Sequence, residues 1–175
     1  MAKNVGKIFE ESVKQSVPEY ILLIRLNDSP QVFKQSNLTR FTPKNPFDYI
    51  CFNTQTRILF CFELKSTSNK YMSFEDIHSD EEQSAMIHKH QILGLLKCSS
   101  YQNVVGGFLL NFRLPENELT YFIEVNQFQK MCESINKKSF NIMDLVLYGA
   151  KKIQGTKKRT RWYWDLNEFF ESYNN

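Results

Sequence analysis

The stretch 45–67 constrains the fold more than any other. It reads Asn-Pro-Phe-Asp48-Tyr-Ile-Cys-Phe, a polar segment at 53–57, then Ile-Leu-Phe-Cys-Phe-Glu63-Leu-Lys65-Ser-Thr. Two apolar, aromatic-rich runs around a short polar break predict a β-hairpin. Side chains i and i+2 of a strand share a face. Glu63 and Lys65 therefore point one way, and Phe62 and Leu64 the other. Asp48, Glu63 and Lys65 stand where the pattern around them calls for core. A buried charge is costly unless it is paired or holds a metal.

Two readings fit that triad. In one, the carboxylates of Asp48 and Glu63 supply hard oxygen ligands to a divalent cation. The Lys65 ammonium then neutralises charge on a phosphodiester or helps to deprotonate water. In the other, Lys65 forms a buried ion pair with one carboxylate. A D…E-x-K string arises by accident in many chains, so spacing alone leaves both readings open.

The surrounding segments add specificity. Asp48…Glu63-x-Lys65 across a hairpin resembles the PD-(D/E)XK nuclease signature. Gly6-Lys7-Ile8-Phe9-Glu10 resembles the Gly-x-x-aromatic/aliphatic-Glu opening of RecU-type Holliday junction resolvases. The run 25–32 (Arg25-Leu-Asn-Asp-Ser-Pro-Gln-Val) resembles their Lys-Lys-Pro-Thr-Pro-x-x-Ile. Phe62-Glu63-Leu64-Lys65-Ser-Thr-Ser-Asn69-Lys70 with Ser73-Phe74 resembles their Phe-Glu-Ala-Lys-Glu-Thr-x-Asn-Lys-x-Ser-Phe. His88-Lys89-His90-Gln91 resembles His-x-His-Gln, and Lys138-Ser139-Phe140 a Lys-Ser-Ile. The matches fall in family order along nearly the whole chain.

The resemblance implies a single nuclease domain over 1–175 with an α/β, restriction-endonuclease-like fold. That fold has a mixed central β-sheet flanked by helices and a short protruding stalk at 31–45. It implies a structure-selective endonuclease that nicks Holliday junctions symmetrically as a homodimer, with a recombinase as a further partner. Mg²⁺ is the implied cofactor, with Mn²⁺ able to substitute. Asp48 and Glu63 would hold it together with Gln91, Lys65 would stabilise charge on the phosphoryl group, and Glu10 would support the attacking water. Family members occur on bacterial chromosomes and in phages of Gram-positive hosts, which implies a cytoplasmic protein. A duplex-cutting restriction or repair nuclease and a catalytically silent junction-binding protein are the alternatives.

Two departures from the family stand out. The stalk segment is shorter here, although Lys34, Arg40 and Lys44 with no acidic residue between 31 and 45 still suit phosphate contact. Pro46 occupies the position, two residues before Asp48, where the family often has a metal-supporting Thr. Arg25 and Lys70 lie in resembling segments and join the DNA-binding candidates.

The remaining readings come from pattern. Val5, Phe9 and Val13 recur every fourth residue and predict a helix over 3–16 that ends before Pro18. Glu10 lies at the border of that stripe. A strand is expected over 20–26 and a turn at 27–30. A polar loop follows over 66–79. Ser79 or Asp80 as N-cap, with acids in the first turn, predicts a helix running to about Leu96. That helix would bury Met86, Leu93 and Leu96, with Gln91 among them. His88 and His90, at i and i+2, would face different sides and make poor joint ligands. Strands are expected at 103–112 and 119–125, and helices at 126–135 and 141–148, the latter closed by Gly149.

Between 151 and 161 the chain carries Lys151, Lys152, Lys157, Lys158, Arg159 and Arg161 with no acid, and Trp162, Tyr163 and Trp164 follow. The run reads as phosphate-binding, with Lys157, Lys158, Arg159 and Arg161 as contacts, or else as a solvated face. The aromatics alternate as a terminal strand would, with at least one Trp in the core, and a closing helix over 165–173 ends the pattern. The formal net charge of +3 is too mild to imply nucleic acid by itself. Four cysteines without C-x-x-C spacing read as buried free thiols in a reducing cytosol. No apolar run approaches the ~20 residues needed to span a bilayer.

Overall fold

Phe9 and Val13, one helical turn apart, are both buried, and they pin α1 (Val5–Ser16) to the sheet as their spacing predicts. The chain is described as a computed structural model covering residues 5–26, 45–79 and 84–174. Ser12 joins the buried stripe: its hydroxyl bonds the Phe9 carbonyl at 2.8 Å and accepts the Trp164 indole N–H at 3.3 Å. Strands β1 (Ile21–Arg25), β2 (Tyr49–Asn53) and β3 (Leu59–Thr67) form an antiparallel meander, with Tyr49 opposite Phe62. After the two-residue β4 (Met72–Ser73), α2 (Lys89–Ser99) carries the chain back to β5 (Val104–Arg113). A helical crossover returns a strand in the same direction, and β5 runs parallel to β3 with Lys65 level with Leu110.

β6 (Glu118–Glu124) folds back on β5 and leads into α3 (Val125–Ser134). β7 (Ser139–Phe140) pairs with β4, and α4 (Ile142–Leu147) leads to β8 (Lys151–Ile153) at the sheet edge. The sheet order is β1-β2-β3-β5-β6-β8. A separate hairpin of β9 (Gly155–Lys158) and β10 (Arg161–Trp164) packs on α1, and α5 (Leu166–Glu171) ends the chain. Among the described residues no helix is long and apolar enough to cross a membrane.

Strand alternation divides the core. Cys61, Phe108 and Leu110 face α2, α3 and α4, packing with Ile92, Leu95 and Phe128. Phe60, Phe62, Leu109 and Phe122 face α1, β10 and α5, packing with Phe9, Trp164 and Phe170. The fold class expected from the sequence, α/β with a mixed central sheet flanked by helices, is the one adopted.

Three expectations are corrected. The helix expected from Ser79 begins only at Lys89 and runs to Ser99. Before it, Ile87 forms a bridge to Phe74 and is fully buried, so the chain is extended where helix was expected. The buried helical positions are Gln91, Ile92 and Leu95, while Leu93 is exposed. The loop expected at 66–79 contains the end of β3 and all of β4. The basic run holds β8 and β9, which its charge pattern concealed. The turn at 27–30 and most of the stalk segment, with Lys34, Arg40 and Lys44, lie outside the described residues, as do residues 80–83.

α2 reaches the hairpin because one of its positions lacks a side chain. A Cβ on Gly94 would collide with the Pro46 ring. Gly94→Ala is therefore expected to lose about 1–3 kcal/mol of stability, the usual effect of overpacking. Denaturant unfolding measures this, and a variant as stable as the unmodified chain would show that the two elements part without cost.

Candidate active site

The hairpin places Asp48 and Glu63 at the same end of β2 and β3. Asp48 is the residue before β2, and Glu63 is the residue after Phe62, which Tyr49 faces across the hairpin. Its backbone N–H bonds the Phe62 carbonyl at 3.0 Å, and its carbonyl accepts the Leu26 N–H at 2.8 Å. Its Oδ2 takes the Leu64 N–H at 2.8 Å. The carboxylate thus substitutes for a backbone acceptor at the strand end and is held across the hairpin.

Glu63 is only 3% exposed. Its Oε1 lies 2.9 Å from Lys65 Nζ and accepts the side-chain amide N–H of Gln91. The i, i+2 pairing of Glu63 and Lys65 is thus realised as an ion pair, with Lys65 the more open of the two at 18% side-chain exposure.

Gln91 stands at the site, and the first turn of α2 fixes its amide. The His88 backbone N–H donates to Gln91 Oε1 at 2.9 Å, so the oxygen must face the helix start and the nitrogen must face Glu63. Nitrogen directed at a carboxylate is a donor, and it positions Glu63 (the resemblance gives Gln91 as a metal ligand). The helix start is capped from a distant segment. Glu75 Oε2 accepts the Lys89 N–H at 2.6 Å, and Glu75 Oε1 lies 2.8 Å from His88 Nδ1. Because His88 precedes the helix in extended backbone, helical spacing does not apply to it. The His88 and His90 rings stack with centroids 5.6 Å apart, where different sides of a helix were expected.

Burial raises the Glu75 pKa, but the His88 bond, the Lys89 N–H and the two imidazoles outweigh it, and its pKa falls below the usual 4.5. A carboxylate with a lowered folded pKa stabilises the fold above its unfolded pKa. That stabilisation is lost as pH falls through the folded value. Glu75→Gln is expected to lower the melting temperature at neutral pH and to lose that deficit once the pH is well below 4.5. Melting curves across pH check this, and a deficit that persists in acid would show that Glu75 acts by packing alone.

Glu10 sits on α1 and pairs with Arg25 of β1 at 2.9 Å. Burial and the Glu10 carboxylate push the Tyr49 phenol up to about 12, with Asp48 adding to the rise and Arg25 opposing it. The helix glutamate and the hairpin aspartate therefore act on one buried ring. A cavity of about 410 Å³ lies here, lined by Glu10, Arg25, Tyr49, Lys7 and Lys14.

The basic candidates divide by location. Lys70 is exposed beyond the end of β3. Lys157 and Lys158 are exposed on β9, Arg159 forms the turn with φ 56°, and Arg161 opens β10. Trp164 is the buried indole, and it stacks on Trp162 with centroids 5.5 Å apart. This hairpin packs on the α1 face of the sheet, whereas Gln91 approaches from the α2 face. Lys7, Arg113 and Glu118 also gather near the hairpin. Sequence reasoning missed them because they come from two distant segments, α1 and the β5–β6 hairpin, with no common spacing.

Among the described residues no three His, Cys, Asp or Glu side chains group as a metal nest. What the hairpin offers is two carboxylates with a lysine and an amide beside them. All-oxygen donors suit Mg²⁺, which keeps several waters, and do not suit Zn²⁺, which takes nitrogen and sulfur. The cysteines are free thiols, and burial pushes Cys61 up to about 12, with Cys98 beside it.

No family model matches the chain. It is 35% identical over 128 residues to the SPbeta prophage-derived uncharacterized protein YotM of Bacillus subtilis (strain 168), a match covering 73% of this chain. The chain spans 59% of that relative's length. Among solved structures, Hjc of Archaeoglobus fulgidus, a Holliday junction resolvase, aligns over 81% of this chain and 91% of its own at 13% identity and a TM-score of 0.46.

Proposed function

We propose that the chain is a Mg²⁺-dependent, structure-selective DNA endonuclease that nicks four-way junctions symmetrically in recombination or repair. The carrying observation is that Asp48, held by the Leu64 N–H, and the buried Glu63, with Lys65 at 2.9 Å, stand at the same end of one hairpin. The segment-by-segment resemblance to RecU-type resolvases supports the reading. Mg²⁺ bound by Asp48 and Glu63 would act as a Lewis acid and make water more acidic. Gln91 holds the Glu63 carboxylate in one orientation. Lys65 sets a cation where negative charge grows on the phosphoryl oxygens. Glu10, steadied by Arg25, supports the orientation of the attacking water.

Symmetric nicking needs two identical sites, which a two-fold homodimer provides. The test is nicking of a synthetic four-way junction and of its component duplexes, with and without Mg²⁺. Nicking of the junction alone, and only with metal, is the expected result. Equal cutting of the duplexes would indicate a restriction or repair nuclease. The Glu63–Lys65 ion pair favours one second reading, a silent junction-binding protein, which would bind the junction and never nick it with either Mg²⁺ or Mn²⁺.

The exposed hairpin would grip DNA by phosphate. Each such contact releases condensed counterions, so log affinity falls with log salt at about 0.9 per contact on B-form arms. Changing Lys157, Lys158 and Arg159 to Ala is expected to flatten that slope by roughly 2–3 units and to weaken junction and duplex alike. Cleavage at saturating DNA should survive. Equal slopes in a salt titration would show that the run is a solvated face.

A further inference from the structure

A second cavity, of about 500 Å³, opens between α1, the β9–β10 hairpin and the turn joining β5 to β6. That is the size of a small-ligand site. Lys7, Arg113, Lys157 and Arg161 line it, against Glu11 and Glu118. The acids do not cancel the cations. Glu11 accepts the Gln15 amide at 2.8 Å, and Glu118 lies 3.9 Å from Arg113. Burial raises the Glu118 pKa over the opposing pull of Asn111, Arg113 and Lys157. The cavity is therefore net positive and suits an anion.

It also holds an oriented aromatic wall. Trp162 and Trp164 lie on one face of β10, with Lys157 directly across from Trp162 and Gly155 across from Trp164. The Trp164 indole is fixed by the Ser12 hydroxyl at 3.3 Å and by the edge of Phe9, with centroids 6.1 Å apart. Trp162 lies parallel to it, with 8° between the planes. A Cβ on Gly155 would strike the Trp164 ring, so a glycine is required for the hairpin to carry both indoles flat. Trp164 is buried, whereas Trp162 is half-buried and lines the cavity.

A flat indole beside several cations is the chemistry that binds an unpaired nucleotide, by base stacking and phosphate pairing. The cavity lies at the end of the sheet that bears the triad. β3 and β5 run parallel with Thr67 level with Phe112, so Arg113 stands just past the strand end that carries Lys65.

We propose that this cavity takes one unpaired nucleotide of a branched DNA, its base stacked on Trp162 and its phosphate on Lys7, Lys157 and Arg161. The proposal rests on the nuclease reading only in its substrate, because the cavity and the triad share no residue. A junction that exposes an unpaired nucleotide near its branch point would then be preferred over a fully paired one.

The test uses the full chain without divalent metal, so that no cleavage intervenes. A short oligothymidylate and an abasic strand of the same length are titrated, reading anisotropy and tryptophan fluorescence. The strand with bases is expected to bind roughly tenfold or more tighter than the abasic one, the scale of base–aromatic stacking. It should also quench the indole emission. Trp162→Ala should remove the difference between the strands, and Trp162→Phe should keep most of it. Equal affinity of both strands for the unmodified chain would overturn the proposal, as would a Trp162→Ala chain, folded by circular dichroism, that still discriminates them. Failure of junction nicking with base discrimination intact would overturn the nuclease reading alone.

Discussion

Replacing Glu63 by Gln is expected to abolish junction cleavage and to leave junction binding within a few-fold of the unmodified chain. Glu63 is 3% exposed and is partnered by Lys65 and Gln91. The amide keeps the shape and removes the charge that would hold Mg²⁺. The proposed DNA grip lies elsewhere, on exposed cations of the β9–β10 hairpin, so affinity should survive. Asp48→Asn should abolish cleavage equally. The two variants should differ in stability. Asn can still accept the Leu64 N–H that Asp48 Oδ2 now takes. Glu63→Gln instead breaks an ion pair in the interior, a change that costs about 3–5 kcal/mol when one partner is removed. Cleavage with Mg²⁺, anisotropy with metal withheld and thermal melting separate these effects. If binding collapsed together with cleavage in both variants, the carboxylates would be structural, with Glu63 the ion-pair partner of Lys65.

The parts of the fold written by local periodicity were legible. The Glu63–Lys65 and Phe62–Leu64 alternation gave both the hairpin and its faces, because strand side chains alternate whatever the context. Phe9 and Val13 gave α1, and the helix expected over 141–148 is α4, where the Asn141 side chain accepts the Met143 N–H at 2.8 Å. Gly149, at φ +82°, gave its end. The start of α2 was not legible. The acids after Ser79 are a sound local cap signal, but the cap in use is Glu75, which reaches Lys89 from another segment. That displacement also misplaced the two histidines, whose stacking follows from His88 standing outside the helix. β4 and β7 pair over two residues each, too few for any periodic signal.

The candidate site divides in the same way. Asp48, Glu63 and Lys65 share one hairpin and could be read from it. Gln91 could be named only by resemblance, and the direction of its amide could not be read at all, since the His88 N–H decides it. The cavity beneath Trp162 was hidden because its cations come from α1, β5 and the terminal hairpin. Charge counted along the chain found the hairpin lysines and missed Lys7 and Arg113.

Lys65→Ala is expected to slow the chemical step by about 10²–10³-fold, equivalent to about 2.7–4 kcal/mol, the scale lost when one electrostatic stabiliser of a developing oxyanion is removed. The structure adds a complication, since Lys65 Nζ is also the 2.9 Å partner of the buried Glu63 carboxylate. Removing it leaves that charge with less compensation, so stability should fall as well. Rates must therefore be read well below the melting temperature of the variant, after its fold is confirmed by circular dichroism. The loss should fall on the single-turnover rate at saturating junction, with little change in junction affinity. Metal affinity should hold or tighten, because a neighbouring positive charge has gone. Lys65→Arg keeps the charge and should recover part of the rate, though its planar fork does not reproduce an ammonium. A Lys65→Ala chain that turns over near the normal rate would remove Lys65 from the chemistry and leave it as the counter-ion of Glu63.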